Sequence, residues 1–179
     1  MASAIQIPVS EYLDTTYHPD REYIDGELRE RNVGKQEHAR IQALLAGWFY
    51  THESVWSACI RTEQRMWVSP TRIRIPDLVL TRPGPLPDIL TEPPLLVIEI
   101  LSPDDTYSDL QERCQDYLAM GVETVWIIDP KTRSGRMCVR TKWIAAERLE
   151  IAGSPIHVHL DQLFAQIDQP ASSQALNKS

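Results

Sequence analysis

The sequence predicts a single mixed α/β domain in which a mixed central β-sheet is flanked by helices. The chain has 179 residues, of which 42% are hydrophobic, so it can bury one full core but not comfortably two. Short apolar segments bounded by turn residues predict strands at 74–80, 95–101 and 123–129. Apolar residues at helical spacing over 107–118 predict a helix between the last two strands, which are therefore expected to run parallel.

The N-terminal part is expected to supply a short helix, a hairpin, a longer helix and two strands. Residues 8–18 predict a short helix or turn, and an Asp-Gly pair predicts the turn of a hairpin over 22–29. Apolar residues recur at helical spacing from 37 to about 50, which predicts an amphipathic helix. Two strands of alternating character are expected at 55–60 and 63–68.

The C-terminal part completes the predicted sheet. The nearly continuous apolar character of 95–101 indicates a central strand with both faces covered, and the helix after it is expected to end at Gly121. We expect residues 1–165 to form the domain and residues 166–179 to form a polar, disordered tail. A hairpin and further short strands are expected at 131–140, 142–146 and 156–160.

The composition argues against several classes of protein. A net charge of −7 lacks the basic surplus of a general nucleic-acid coat. Cys59, Cys114 and Cys138 form no Cys-x-x-Cys pair and leave one cysteine over, which fits a reducing cytosol. The apolar runs are far shorter than the about 20 residues that span a bilayer, and the N-terminus lacks a secretory pattern. We therefore expect a cytoplasmic protein with no membrane partner.

The charges are distributed unevenly along the chain. Basic residues predominate at 61–82 and 131–148, whereas acidic residues predominate at 99–116. This distribution is compatible with a phosphate-binding rim around an acidic metal site. Alternatively, each charged segment is an ordinary solvent-exposed face of the protein, which explains it equally well.

Two carboxylates interrupt the predicted apolar strands. Asp77 follows Pro76, and Glu99 has apolar neighbours on both sides. An unpaired buried carboxylate is costly or changes its pKa, so two of them in neighbouring strands imply a shared partner, for which a divalent cation is a simple choice. Alternatively, Asp77 is a turn residue at the start of a strand, and Glu99 has a structural role.

The order of these residues resembles the PD-(D/E)XK nuclease superfamily and, within it, the Uma-two-like family of restriction endonucleases. The resemblance extends over about residues 20–165 and implies a restriction-endonuclease-like core in an endonuclease that acts on DNA. The stretches that carry it are Tyr23–Leu28, His38, Ile75–Val79, Val97–Pro103, Asp109–Tyr117 and Gly121–Pro130.

The resemblance assigns the two acids to a metal site. Asp77, Glu99 and the main-chain carbonyl of Ile100 would hold the ion, which would bind a phosphate oxygen and lower the pKa of a water. Mg²⁺ fits because oxygen ligands and substrate phosphate are its usual environment, and Mn²⁺ is a second option.

The chain departs from the superfamily pattern at the third catalytic position. Two residues after the glutamate, where a lysine is usual, stands Leu101. Matching the next segment to the family places Arg113 at a lysine position on the following helix, where it could supply positive charge but is too basic to accept a proton. Arg113 is alternatively an exposed residue paired with helical acids. Glu37 and His38 are further catalytic candidates from the first long helix, although His38 is alternatively a hydrogen-bonded core residue.

Three functional hypotheses remain open from the sequence. The first is a Mg²⁺-dependent endonuclease that hydrolyses DNA phosphodiester bonds with a metal-activated water, for which a two-fold homodimer would suit cleavage of two strands. The second is a catalytically degenerate nuclease fold that binds nucleic acid, which Leu101, Arg113 and the acidic composition favour. The third is a purely structural or interaction protein.

Overall fold

The computed structural model describes residues 6–31, 36–85, 87–140 and 142–168. It confirms the predicted mixed α/β class. The helices are α1 (Val9–Leu13), α2 (Gln36–Trp56), α3 (Tyr107–Met120) and α4 (Leu160–Asp168). The strands are β1 (Arg21–Ile24), β2 (Glu27–Glu30), β3 (Cys59–Thr62), β4 (Arg65–Ser69), β5 (Arg72–Arg74), β6 (Leu78–Thr81), β7 (Ile89–Leu90), β8 (Leu96–Ile100), β9 (Thr124–Asp129), β10 (Ser134–Val139), β11 (Lys142–Ala145), β12 (Arg148–Glu150) and β13 (His157–His159).

The strands form two larger sheets and one small pair. The six-stranded sheet has the order β11-β10-β9-β8-β6-β3, the five-stranded sheet has the order β2-β1-β5-β4-β7, and β12 pairs with β13. Strands β8 and β9 are parallel, as the intervening helix predicts, whereas β6 and β8 are antiparallel. The larger sheet is therefore mixed.

Strand β8 occupies the predicted central position, because all of its residues are buried and it lies between β6 and β9. Alternate side chains along this sheet enter two different cores. Ile98 faces the core formed with α2 and α4, whereas Val97 faces the core formed with α3. The sheet is thus covered by helices on both faces.

Helix α3 is capped at both ends, and its C-terminal cap is Gly121, as predicted. The Thr106 hydroxyl accepts a hydrogen bond from the Asp109 N–H, and the Asp109 carboxylate accepts one from the Thr106 N–H, which forms a capping box. Gly121 ends the helix with a φ of 107°, which a residue without a Cβ adopts readily.

The predicted strand over 74–80 is wrong as a single element. Arg74 ends β5 in the five-stranded sheet, and Leu78 begins β6 in the six-stranded sheet. The chain crosses between the sheets at Ile75, Pro76 and Asp77, where proline offers no N–H for a strand ladder. Asp77 therefore lies at the junction of the two sheets.

Two other boundaries differ from the sequence-based expectation. Helix α2 continues to Trp56 instead of ending near residue 50, and Trp56 packs edge-on against Phe49 at 5.8 Å between ring centroids. The strand predicted at 55–60 therefore begins only at Cys59. Helix α4 was not predicted, and it runs past the expected domain end at residue 165 to Asp168. The rest of the predicted tail, 169–179, lies outside the described residues.

In the part of the chain that the structure describes, no helix has both the length and the apolar character needed to cross a bilayer. All three cysteines are free.

Candidate active site at the junction of the two sheets

Strand register brings Asp77 and Glu99 to the same place. Leu78 pairs with Ile98 in the antiparallel β6–β8 ladder, so one further step places Asp77 opposite Glu99. Both carboxylates are buried, with only 3% and 2% of their residue surfaces exposed. The Ile100 N–H donates a hydrogen bond to Asp77 Oδ2 at 2.8 Å, which fixes the aspartate against β8.

Asp77 also receives two cationic or polar partners from the N-terminal region. Arg31 Nη2 donates to Asp77 Oδ1 at 2.8 Å, and His38 Nε2 lies 3.2 Å from Asp77 Oδ2. Burial lowers the pKa of His38, but the hydrogen bond and charge of Asp77 outweigh that effect and raise the pKa above its ordinary value. His38 lies beside Asp77, and its catalytic role stays a prediction.

Glu99 is held by two residues of α3. The Tyr117 hydroxyl donates to Glu99 Oε1 at 2.5 Å, and Arg113 Nη1 donates to Glu99 Oε2 at 3.0 Å. Arg113 also pairs with Asp105 in the turn before the helix. Burial raises the pKa of Glu99 to about 7, although the nearby guanidinium opposes this change.

A highly charged cavity of about 220 Å³, which we call the junction cavity, is lined by Asp77, Arg31, His38 and Arg113 among others. Glu99 and Tyr117 are buried and lie outside its lining. Its walls come from both sheets and from α2 and α3. The basic side chains that line it are Arg29, Arg31, His38, Arg74 and Arg113, and the acidic ones are Glu22, Glu30, Asp77, Asp105, Asp109 and Glu112. Ile100 also lines it, whereas Glu37 is exposed and lines a neighbouring cavity together with His38.

The oxygen atoms in and next to the junction cavity suit a hard divalent cation. The candidate ligands are the Asp77 and Glu99 carboxylates and the Ile100 carbonyl, and such oxygens are the ligands that Mg²⁺ and Mn²⁺ accept. No group of three His, Cys, Asp or Glu side chains within the described ranges has an arrangement that could hold a metal by itself. Each carboxylate also carries a guanidinium partner, so an ion entering here would compete with Arg31 and Arg113.

A buried ion-pair network supports the floor of the junction cavity. Arg74 donates to Glu22 at 2.8 Å and to Asp116 at 2.7 Å, and Glu22 in turn accepts from the Ile75 N–H at 3.0 Å. The network links β1, β5 and α3 immediately beside Asp77. Removing one partner of such a pair would leave an uncompensated buried charge, which typically costs about 3–5 kcal/mol.

Sequence reasoning did not identify Arg31, Asp105 or Tyr117 as site residues. Arg31 follows β2, and its proximity to Asp77 arises only from tertiary packing. Tyr117 lies one helical turn after Arg113 on α3, so its position on the same helix face is a signal that could have been used.

Fold and site together define a restriction-endonuclease-like domain: a mixed sheet between helices, with an aspartate and a glutamate meeting across adjacent strands. The chain belongs to the Uma2 family, whose model, described as "Putative restriction endonuclease", matches residues 9–160.

A solved structure confirms the fold. A crystal structure described as a "putative nuclease belonging to DUF820", from Anabaena variabilis ATCC 29413, matches with a TM-score of 0.77 and 21% sequence identity. The match covers 89% of this chain and 98% of that chain. At this identity the likeness concerns the fold alone. No curated protein shows significant similarity to the chain.

Proposed function

We propose that this protein is a metal-dependent endonuclease that hydrolyses DNA phosphodiester bonds with a metal-activated water. The observation that carries the proposal is the meeting of two buried carboxylates, Asp77 and Glu99, next to a cavity that Asp77 lines together with arginines. Membership of a family of restriction endonucleases supports a nuclease.

Asp77, Glu99 and the Ile100 carbonyl would hold the ion, with Mg²⁺ or Mn²⁺ as the candidates. When bound, the ion supplies positive charge to the phosphate and acidifies a nearby water. The Ile100 N–H keeps Asp77 against β8, and the Tyr117 hydroxyl fixes the Glu99 carboxylate. These hydrogen bonds preorganise the two carboxylates before substrate arrives.

Arg113 and His38 have separable roles in the proposed reaction. Arg113 lies beside Glu99 and can stabilise negative charge that develops on the phosphate, because its guanidinium stays protonated. His38 can accept a proton from the attacking water once its imidazole is neutral, with Asp77 orienting the ring. Glu37 lies outside the junction cavity, and its catalytic role stays a prediction.

The test combines metal titration with DNA cleavage. Titration calorimetry with Mn²⁺ and with Mg²⁺ at about pH 7.5 would compare the wild type with Asp77→Ala/Glu99→Ala. Binding and cleavage should both be lost in this variant while the far-UV spectrum stays unchanged. The exposed acids Asp88 and Glu92 provide a charge-matched control, and Asp88→Ala/Glu92→Ala should bind and cleave like the wild type.

Cleavage that survives the Asp77→Ala/Glu99→Ala change would refute the proposed site. Cleavage of both strands of a duplex would need two such sites, so we also propose a two-fold homodimer. We further propose that the protein is located in the cytoplasm. Sedimentation of the wild type as a monomer, with and without duplex, would refute the dimer.

A catalytically degenerate nucleic-acid-binding protein is the second candidate function. All four carboxylate oxygens of Asp77 and Glu99 already accept hydrogen bonds or ion pairs from protein groups. The site is thus neutralised without a metal ion. DNA binding without turnover in either Mg²⁺ or Mn²⁺ would favour this second function.

A further inference from the structure

A second cavity of about 190 Å³ adjoins the junction cavity, and the two share Asp105 as a lining residue. We call it the flanking cavity. Leu101, Leu110 and Ile127 give it an apolar wall, and Tyr107 and Arg136 lie at its margin. Its volume is below the about 300–1,000 Å³ of cavities that hold drug-sized ligands, so a single ring system matches its size.

Tyr107 is unusually exposed for a large aromatic residue. It is the first residue of α3, and 64% of its surface is accessible. Its ring centroid lies 6.1 Å from that of Trp143, with 40° between the ring planes. Exposed aromatic rings beside an apolar cavity are the surfaces on which proteins stack unpaired bases.

Arg136 supplies an available positive charge at the same place. It lies on β10 opposite Ile127 of β9, and it forms no ion pair with any residue of the described ranges. The segment that contains it, 131–148, has a large excess of basic residues in a chain whose net charge is −7. An exposed arginine at this place can bind a phosphate of a nucleic-acid backbone.

Leu101 gives the flanking cavity its connection to the active site. It follows Glu99 by two residues, and its side chain lines the flanking cavity instead of the junction cavity. Leu101 is apolar where the superfamily usually has a charged lysine, and its side chain offers a surface that a base can contact. Leu101 can therefore contribute to binding at the position of the usual lysine.

We propose that the flanking cavity binds one unpaired nucleobase of a nucleic-acid strand next to the phosphate in the junction cavity, with Tyr107 as the stacking platform and Arg136 on the adjacent backbone or base edge. The inference rests on the proposed function for the presence of nucleic acid, and it adds a preference for single-stranded or frayed substrates over continuous duplex. A continuous duplex would hold its bases in the stack, away from the Tyr107 ring.

The test measures binding without cleavage, so that it does not depend on catalysis. Fluorescence anisotropy in EDTA would follow a fluorescein-labelled single strand of about 12 nucleotides, a length within the usual range of single-strand sites. A series of such strands would each carry one abasic position. The wild type should show one position at which base loss weakens binding about tenfold, as expected for loss of one base–aromatic stack.

Variants of the exposed tyrosines then identify the platform. Tyr107→Ala should weaken binding of the intact strand about tenfold, and all strands of the abasic series should then bind with the same affinity. Tyr107→Phe should keep the one sensitive position of the wild type. Tyr50, which is 70% exposed on α2, is the matched control, and Tyr50→Ala should leave both the affinity and the profile unchanged. Arg136→Gln should weaken binding of all strands by a similar factor.

The outcomes separate this inference from the proposed function. A wild-type series with no sensitive position, or a sensitive position that persists in Tyr107→Ala, would overturn the flanking cavity as a base site. In that case, cleavage of DNA in Mn²⁺ would still support the proposed endonuclease function. Conversely, a Tyr107-dependent sensitive position without cleavage in either metal would support the base site and refute the proposed chemistry. Equal affinity for a blunt duplex and a single strand would also overturn the inference.

Discussion

Replacement of Glu99 by glutamine should stabilise the protein at neutral pH and have little effect in acid. Burial raises the pKa of Glu99 from an ordinary value of 4.5 to about 7, so its ionised form is disfavoured in the folded state. Glutamine has nearly the same shape and removes the charge. Tyr117 can still donate to the side-chain carbonyl, and Arg113 keeps Asp105 as a partner.

The sign and size of the effect follow from proton linkage. Below about pH 4.5 Glu99 is protonated in both states, and above about pH 7 it is ionised in both, so the folded protein carries the whole cost only at higher pH. One pKa unit corresponds to about 1.4 kcal/mol, which gives a total cost of about 3 kcal/mol. The stability of the wild type relative to Glu99→Gln should therefore fall as the pH rises through this window.

Urea unfolding in EDTA at a series of pH values between about 4.5 and 8 would measure this difference. The free energy gained by Glu99→Gln should grow by about 2–3 kcal/mol across the series. Glu92 is exposed, so Glu92→Gln controls for the loss of one carboxylate. A gain that is the same at both ends of the pH range would show that Arg113 and Tyr117 fully compensate the buried charge, and would refute the reasoning.

Two further changes test packing and the histidine at the site. A Cβ added at Gly135 would lie 2.6 Å from Leu160 Cδ1, so Gly135→Ala should destabilise the fold by about 1–3 kcal/mol in urea unfolding. A Cβ added at Gly47 of α2 would have no atom within 4 Å, so Gly47→Ala should instead stabilise the fold by about 1 kcal/mol. Equal effects of the two changes would contradict the packing argument. Asp77→Asn should lower the pKa of His38 in an NMR titration, because the carboxylate raises it; an unchanged pKa would remove Asp77 as the cause.

The sequence allowed prediction of the residues that meet across neighbouring strands. Asp77 and Glu99 were recognisable because each carboxylate stands where apolar residues are expected, and β-ladder register then places them opposite each other. Arg113 and His38 followed from the family resemblance together with helical spacing, and the structure places both within hydrogen-bond distance of these acids. Their catalytic roles stay predictions.

Other features could not be obtained from local patterns. Arg31 reaches Asp77 only because the β1–β2 hairpin folds against the sheet junction, which is a contact between residues 46 positions apart. The division of 74–80 between two sheets likewise depends on which partner strands are available, and no local signal specifies them. Helix α4 is different: Leu160, Leu163 and Phe164 have helical spacing, and this signal was present in the sequence.

The placement of Asp77 between two sheets has a consequence during protein synthesis. Glu22, Arg74 and Asp116 must all be present to complete the floor of the junction cavity, and Glu99 obtains its partners only from α3. A chain still emerging from the ribosome lacks α3 until most of its length has been translated. The assembled centre therefore arises only after α3 has been translated, and a truncated translation product that ends before α3 carries both acids but not the environment that tunes them.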